Sequence, residues 1–339
     1  MSNKIDLITY YLEHVGITSL LETELTEVVI NKPYEILIEN ENGWQSIPAP
    51  NASYDILLKL GTALSVFNEA GDLCAASPIK SLVTPNGERS QFVIPPACES
   101  GHISLTIRKP SKTRFTLSDY VSSGRFANAR QAKKTTVELS DIQKELLEIY
   151  NNADSNRDLY EDFIRKGVEA RCNFLVVGGT GSGKTTIASS IADIFPQDRR
   201  IITIEDTHEM ELPFHNNHVH LFFKTGGVQP KVLIEAAMRM KPDHIFLAEL
   251  RGNEAWSYIE ALNTGHQGSI TTIHANNTYA SFSRLAAIVK QSDVGLTLDY
   301  DFVIKTIKSS IDIILFFNHT HMTEVYFNPV EKNTILSGL

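Results

Sequence analysis

A glycine-rich stretch at residues 178–186, GGTGSGKTT, constrains the fold of this chain more than any other feature. An apolar run precedes it, and a helix-like pattern follows it. It fits the pattern G-x-x-x-x-G-K-[ST], in which backbone N–H groups converge on phosphates at a helix N-terminus. This context predicts nucleotide binding, with Lys184 at the β- and γ-phosphates and the Thr185 hydroxyl on magnesium. The residues expected to hold the nucleotide are Gly178, Gly179, Thr180, Gly181, Ser182, Gly183, Lys184, Thr185 and Thr186.

Length and composition limit the class of protein. A chain of 339 residues suggests two or three domains, and 42% hydrophobic residues are enough for their cores. The net charge of -9 argues against a surface that binds nucleic acid throughout. Three scattered cysteines indicate a reduced, cytosolic setting. With no signal-like N-terminus and no apolar run near the roughly 18 residues of a span, we expect at most peripheral membrane contact.

Patterning along the chain predicts two folded regions and a linker. Residues 1–108 combine short strand-like runs with helix-like segments and predict a small α+β sheet domain, with a tight hairpin at Asn42 and Gly43. Residues 109–146 are polar and basic, which predicts a linker with short helical pieces, and the charged run at 130–134 predicts a solvated surface. Residues 147–339 alternate strands and helices, so we expect an α/β domain with a parallel sheet covered on both faces.

Two strand-like runs in the second region end in acidic residues. RIITIEDTHEMEL delivers Glu205 and Asp206 at the end of a strand, and HIFLAELRG delivers Glu249. Ligands of open α/β sheets bind beyond the carboxyl ends of the strands, where carboxylates suit metal-bound water or a general base. A helix start decorated with acids is the alternative for the first run, and the second acid-ended strand favours function.

A histidine-containing stretch, GHQGSITTIHAN, follows at residues 265–276. His274 comes directly after a strand-like run, so it is a candidate to lie at the same edge and contact a γ-phosphate. His266 precedes the run. A histidine packed in the core is the alternative interpretation for either.

These four stretches occur in the order and at the spacing found in the secretion or traffic ATPases, which this chain resembles. Within that superfamily, NGERSQFVIPPACESGHISLTIRKPS resembles the DNA-transfer, type IV secretion branch. The resemblance implies a small sheet domain ahead of a RecA-like motor domain, assembled as a homohexameric ring at the cytoplasmic face of the inner membrane. It implies ATP hydrolysis with Mg²⁺ that drives pilus assembly and transfer of DNA or protein, beside other ATPases and inner-membrane components of the secretion system.

The resemblance also assigns roles to individual residues. Glu205 and Glu249 take the catalytic and water-polarising positions, and His274 takes that of a γ-phosphate sensor. Arg89 and Arg108 match arginines that reach over the nucleotide from the small domain, where their fixed donor fork suits phosphate oxygens. The long linker leaves open whether they serve the nucleotide of their own chain or of a neighbour.

Three other classes share some of these features. A type II secretion or pilus ATPase is the near alternative, but this chain has no four-cysteine zinc insertion and continues after Glu249 with Leu-Arg-Gly. A small-molecule kinase shares the glycine-rich loop but needs an acceptor pocket and a closing lid. The third class is a nucleotide-regulated binding module without hydrolysis. Two carboxylates and His274 near the phosphates favour hydrolysis over that interpretation.

Overall fold

Two sheets form the framework of the computed structural model, which describes residues 2–40, 43–110, 114–129 and 137–338. Asn42 and the charged run at 130–134 lie outside the described residues. One sheet is built from the N-terminal region and the other from the C-terminal region. Each sheet is covered by its own set of helices.

The N-terminal sheet has six strands, and each neighbouring pair is antiparallel. Three helices pack against it and bury a core of aliphatic side chains with Phe92. The predicted helix near its start is two helices, because Gly16 between them has φ 89°. The elements are α1 (Ser2–Val15), α2 (Ile17–Leu21), β1 (Glu27–Ile30), β2 (Glu35–Asn40), β3 (Gly43–Pro48), α3 (Tyr54–Phe67), β4 (Ile79–Val83), β5 (Arg89–Val93) and β6 (Ser104–Arg108), in sheet order β3-β2-β1-β6-β5-β4.

The region predicted as a linker contains helical pieces. Helix α4 (Leu117–Ser122) starts with a capping box in which Thr116 and Asp119 satisfy each other's backbone N–H groups. Helix α5 (Asp141–Ala153) has the same kind of start, at Ser140 and Gln143. Helix α5 therefore starts within the range 109–146 and continues beyond it.

The C-terminal sheet has seven strands in the order β13-β12-β7-β11-β10-β8-β9, and all its neighbours are parallel except the hairpin β12–β13. Its strands are β7 (Phe174–Gly178), β8 (Ile201–Glu205), β9 (His218–Phe222), β10 (His244–Leu247), β11 (Ile270–Ile273), β12 (Ile313–Asn318) and β13 (His321–Phe327). The helices around it are α6 (Leu159–Glu169), α7 (Lys184–Ala192), α8 (Pro230–Ala237), α9 (Glu254–Asn263), α10 (Thr278–Gln291), α11 (Tyr300–Ser310) and α12 (Pro329–Ser337).

Alternate residues of the central strand β7 enter two separate cores. Leu175 and Val177 belong to one buried cluster, whereas Phe174 and Val176 belong to another on the opposite face. Since side chains alternate across a strand, both faces of this sheet are covered by helices. The predicted α/β region with a parallel sheet is confirmed.

The two regions share an apolar core that includes Val93, Ala97 and Cys98, and they also meet through polar contacts around Arg200. This arginine is 0% exposed, and it donates hydrogen bonds to Asn31 Oδ1 (2.8 Å), to Asn217 Oδ1 and to Met240 O (2.8 Å). Asn31 Nδ2 also donates to Asn217 Oδ1 at 3.0 Å. Burial lowers the pKa of Arg200 to about 9, so the guanidinium is still charged near pH 7. A buried cation thus depends on an acceptor from the other region.

We expect Asn31→Ala to destabilise the protein by about 1–3 kcal/mol, the usual cost of a buried polar group left without its partner. The measurement is the free energy of unfolding from denaturant titration. Asn51→Ala is the matched control, because Asn51 is exposed and its side chain donates only to His14 O at 3.1 Å. Equal loss in both variants would show that the junction contributes nothing beyond an ordinary surface amide.

Candidate active site

The loop between β7 and α7 has a shape that depends on its glycines. Gly181 and Gly183 have φ of 71° and 85°, where other residues are strained. A Cβ on Gly178 would lie 2.3 Å from Ser182 Oγ and 2.5 Å from Phe317 O, so any side chain there would displace the loop. The glycines therefore set the curvature of the loop as well as its pattern.

Lys184 and Ser182 place a buried ammonium and an unpaired hydroxyl at this loop. The Lys184 ammonium is buried and donates to Gly178 O (3.1 Å) and Gly179 O (2.8 Å) of the loop itself. Burial lowers its pKa, Glu249 opposes that shift, and Arg251 adds to it. Ser182 Oγ is buried without a hydrogen-bond partner among the described residues. A buried cation, an unpaired hydroxyl and the N-terminus of α7 fit a bound phosphate.

The rim of the loop carries the other predicted contacts. Gly179, Thr180, Gly181 and Thr186 are exposed. The Thr185 hydroxyl donates to Glu209 Oε2 at 3.0 Å. A hydroxyl beside a carboxylate presents oxygen ligands, which Mg²⁺ prefers, so the pair fits the cation that accompanies a nucleotide. Sequence analysis did not select Glu209, although it belongs to the same acidic stretch.

Glu205 ends β8 as predicted, but its carboxylate does not face the loop. It is 0% exposed. Oε2 accepts from the N–H groups of Glu209 and Met210, both at 2.9 Å. Oε1 accepts from Thr203 Oγ1 at 2.6 Å and lies 3.4 Å from His220 Nδ1. Both oxygens are therefore occupied by the protein, and they hold the turn that carries Glu209.

Opposing effects set the pKa of Glu205. Burial raises it, and the hydrogen bonds from His220, Thr203 and the two backbone N–H groups lower it. The net result is a pKa below the ordinary value of 4.5. Glu205 is thus a carboxylate at neutral pH, stabilised by its partners rather than available as a base.

Glu249 lies two residues beyond β10, and its carboxylate contacts His274 and Arg251. Oε1 lies 3.3 Å from His274 Nε2, and Oε2 accepts from Arg251 at 2.7 Å. Arg251 also donates to Asp206 at 2.9 Å. The structure therefore brings Glu249 and His274 together as predicted, and it adds Arg251, which sequence analysis missed. An arginine two residues after the acid was the available signal.

Arg89 and Arg108 lie elsewhere. They are register partners on β5 and β6, and they line a cleft with Arg239, Lys241 and His266. Those last three precede β10 and β11, so the cleft is at the amino-terminal edge of the parallel sheet. Lys184, Glu249 and His274 are at the carboxyl-terminal edge. Within one chain, these arginines do not reach the glycine-rich loop.

Comparison with known proteins decides the family. A family profile described as Type II/IV secretion system protein matches residues 99–318. The chain belongs to that secretion ATPase family. The type IV secretion system protein VirB11 of Brucella suis is 38% identical over 328 residues, covering 93% of this chain and 88% of that protein. PtlH of Bordetella pertussis, also a type IV secretion system protein, is 35% identical over 306 residues, covering 87% and 86%.

Solved structures agree with this family. The VirB11 ATPase from the Brucella suis type IV secretion system, crystallised with sulphate, superposes with a TM-score of 0.91 and 38% identity, covering 99% of this chain and 98% of that one. The predicted RecA-like motor with a preceding small sheet region is therefore confirmed. ATPase activity is characteristic of this secretion family, so the predicted ATPase of type IV secretion is confirmed as well.

Glu205 and Glu209 belong to one stretch of the sequence, but we expect only Glu205 to contribute to the free energy of unfolding. Because the folded-state pKa of Glu205 is lowered, its carboxylate stabilises the fold above about pH 4.5, and this contribution is lost as pH falls through the folded-state pKa. We expect Glu205→Gln to cost about 1–3 kcal/mol at pH 7. The difference from the unsubstituted chain should shrink as pH falls through the lowered folded-state pKa and the carboxylate becomes protonated.

Glu209→Gln is the matched control for this measurement. Its side chain is exposed, so we expect a change within about 0.5 kcal/mol. Denaturant unfolding at several pH values provides both numbers. A Glu205→Gln variant as stable as Glu209→Gln across that range would contradict the holding role of Glu205.

Proposed function

We propose that this secretion ATPase is a ring-forming motor that hydrolyses ATP with Mg²⁺ at the carboxyl-terminal edge of its parallel sheet. The observation that carries the proposal is the convergence at this edge of a phosphate-binding loop, the Thr185–Glu209 pair and the Glu249–His274 pair. A substrate phosphate chain held by the loop brings its terminal phosphate towards both pairs. Positioning and charge stabilisation are most of what phosphoryl transfer requires.

Each residue has a separate task in this proposal. Lys184 and the loop N–H groups bind the phosphates, and Thr185 with Glu209 would hold a Mg²⁺ ion, which would supply neutralisation of phosphate charge. Glu249, oriented by Arg251 and His274, accepts the proton of the attacking water. His274 then contacts the γ-phosphate and reports its presence.

Glu205 has a positioning role in this proposal instead of the catalytic one predicted from the sequence. Its oxygens are taken by the backbone of residues 209 and 210, by Thr203 and by His220. Three hydrogen-bond donors and the adjacent His220 ring enclose this buried carboxylate. Glu205 therefore acts through Glu209, whose place beside Thr185 depends on that turn.

Arg89 and Arg108 act on a neighbouring subunit's nucleotide in the proposed ring. Their place at the far edge of the parallel sheet from the loop of their own chain supports this, and so does the excess of cations in a cleft that they share with Lys109, Arg125, Glu22 and Glu24. Sixfold closure, contact with other secretion-system components, and transfer of DNA or protein belong to the same proposal. So does a peripheral position at the cytoplasmic face of the inner membrane. Within the described part of the chain, no helix has the length and apolarity to cross a bilayer.

The first test removes the ammonium of Lys184 from the phosphate-binding loop and, in a separate variant, the charge of Glu249. We expect Lys184→Ala to reduce ATP turnover to background with an unchanged melting curve, because its ammonium contacts only loop carbonyls. Glu249→Gln should still bind ATP but hydrolyse it at least about 10²-fold more slowly.

Steady-state hydrolysis and nucleotide-binding assays measure both effects. Glu260→Gln, an exposed change on α9, is the matched control, and near-normal turnover in Glu249→Gln would remove that residue from the chemistry.

A second test mixes two inactive variants. One carries Lys184→Ala and the other carries Arg89→Ala with Arg108→Ala, and each alone should be nearly inactive. If the arginines serve a neighbour, mixed rings contain interfaces with an intact loop and intact arginines, so about a quarter of wild-type turnover returns at a 1:1 ratio. The assay is hydrolysis after mixing and reassembly. No recovery in rings shown to be mixed would contradict action on a neighbouring subunit.

A further inference from the structure

A segment from the N-terminal region pairs alongside the edge strand β9. Cys98 pairs with Leu221 as an antiparallel bridge, and Phe222 N donates to Ala97 O at 2.9 Å. This register sets Glu99 opposite His220. Because side chains alternate along a strand, His218 lies on the same side of β9 as His220. Backbone pairing thus brings a carboxylate of one region to two imidazoles of the other.

These three side chains form a compact group of metal-ligating atoms. One carboxylate oxygen of Glu99 and one nitrogen from each of His218 and His220 all lie within 4.8 Å of one another. The imidazole centroids of His218 and His220 are 4.8 Å apart. His220 is buried, and the other two are half-buried. The group is therefore shielded on one side and reachable on the other.

Hydrogen bonds fix which nitrogen of each imidazole is free to ligate. His218 Nδ1 donates to the carbonyl of His215. Thr203 Oγ1 gives its own proton to Glu205, so at 2.8 Å it accepts one from His220 Nδ1. Both rings then carry their lone pair on Nε2. Acceptors behind the ring that set the tautomer are the usual environment of a metal-binding histidine.

We propose that Glu99, His218 and His220 form a binding site for a zinc-type divalent transition metal ion at the junction of the two regions. Two imidazoles and one carboxylate match a tetrahedral zinc site that leaves one position for water. Imidazole ligands select zinc and its neighbours over Mg²⁺, which requires oxygen ligands. This site is therefore chemically distinct from the proposed Mg²⁺ position at Thr185 and Glu209.

A second trio competes for the same histidine. Glu205, His208 and His220 also bring one ligand atom each within 4.8 Å of one another. Glu205 already accepts hydrogen bonds on both oxygens, and the proton of His220 Nδ1 lies on that side. A metal there would have to displace this network, so the structure favours the trio with Glu99.

An ion in this site joins Glu99 of the N-terminal region to β9 of the motor sheet. His220 contacts Glu205, which holds the turn bearing Glu209, so the ion also touches the support of the proposed active site. Bound metal should therefore stabilise the junction and slow its opening. Ligands that bind only the folded state raise its melting temperature.

The test is a titration of the full-length chain with Zn²⁺ after chelator treatment, in excess Mg²⁺ that fills oxygen-only sites. Competition with a chromophoric chelator gives stoichiometry and affinity, and Co²⁺ absorption reports four-coordinate geometry. We expect one Zn²⁺ per chain, a raised melting temperature, and slower backbone hydrogen exchange at residues 97–99 and 218–222. Protection confined to other residues would contradict a link between the two regions.

Single substitutions locate the ion. We expect Glu99→Gln and His218→Gln to weaken Zn²⁺ binding by about tenfold or more, because each removes a ligand. His102→Gln, in the same loop as Glu99, and Cys74→Ser, at an exposed thiol, should leave it unchanged. Unaltered binding in both ligand variants would overturn the proposal. Loss in His208→Gln together with full binding in Glu99→Gln would also overturn it, since the ion would then occupy the second trio.

Discussion

Parallel pairing of β7, β11, β10 and β8 is the constraint on which the rest of the molecule depends. The register sets Ile273 beside Val177 and Leu247 beside both Thr271 and Ile204, so these strands end nearly level. The segments that follow them must then emerge on one edge, which is why Lys184, Glu249 and His274 meet although they are far apart in the chain. At the opposite edge, the N-terminal region contributes the cleft of Arg89 and Arg108, and it also pairs with β9 through residues 97 and 98.

The parts of the structure that could be predicted from the sequence are those with a local sequence pattern. The glycine-rich loop was identifiable because its pattern encodes a backbone shape, and strands such as β7 and β10 were identifiable because they are continuous apolar runs buried on both faces. Strand β9 was missed, since two histidines interrupt its apolar residues and its edge is paired with a distant segment. The apolar alternation of an edge strand is a weak signal when polar side chains bind across it.

The different positions of the Glu205 and Glu209 carboxylates could not be predicted from the sequence. Glu205 and Glu209 belong to one stretch, but one is enclosed by donors and the other reaches Thr185. Which acid is enclosed depends on where the chain turns after β8, and no periodicity encodes that turn. The location of Arg89 and Arg108 was unpredictable for a similar reason, because it depends on how the region before the linker docks on the motor sheet.

The polar character of the junction around Arg200 has a consequence for reversibility. A guanidinium, two asparagine side chains and backbone carbonyls meet there, and Lys241 adds an ion pair with Glu27 at 3.0 Å. Water can replace each of these hydrogen bonds when the regions separate. The N-terminal region also buries Val93, Ala97 and Cys98 in the same apolar core as the motor sheet, so separation exposes apolar surface as well. The polar contacts are therefore readily remade, and the apolar contacts favour the closed junction.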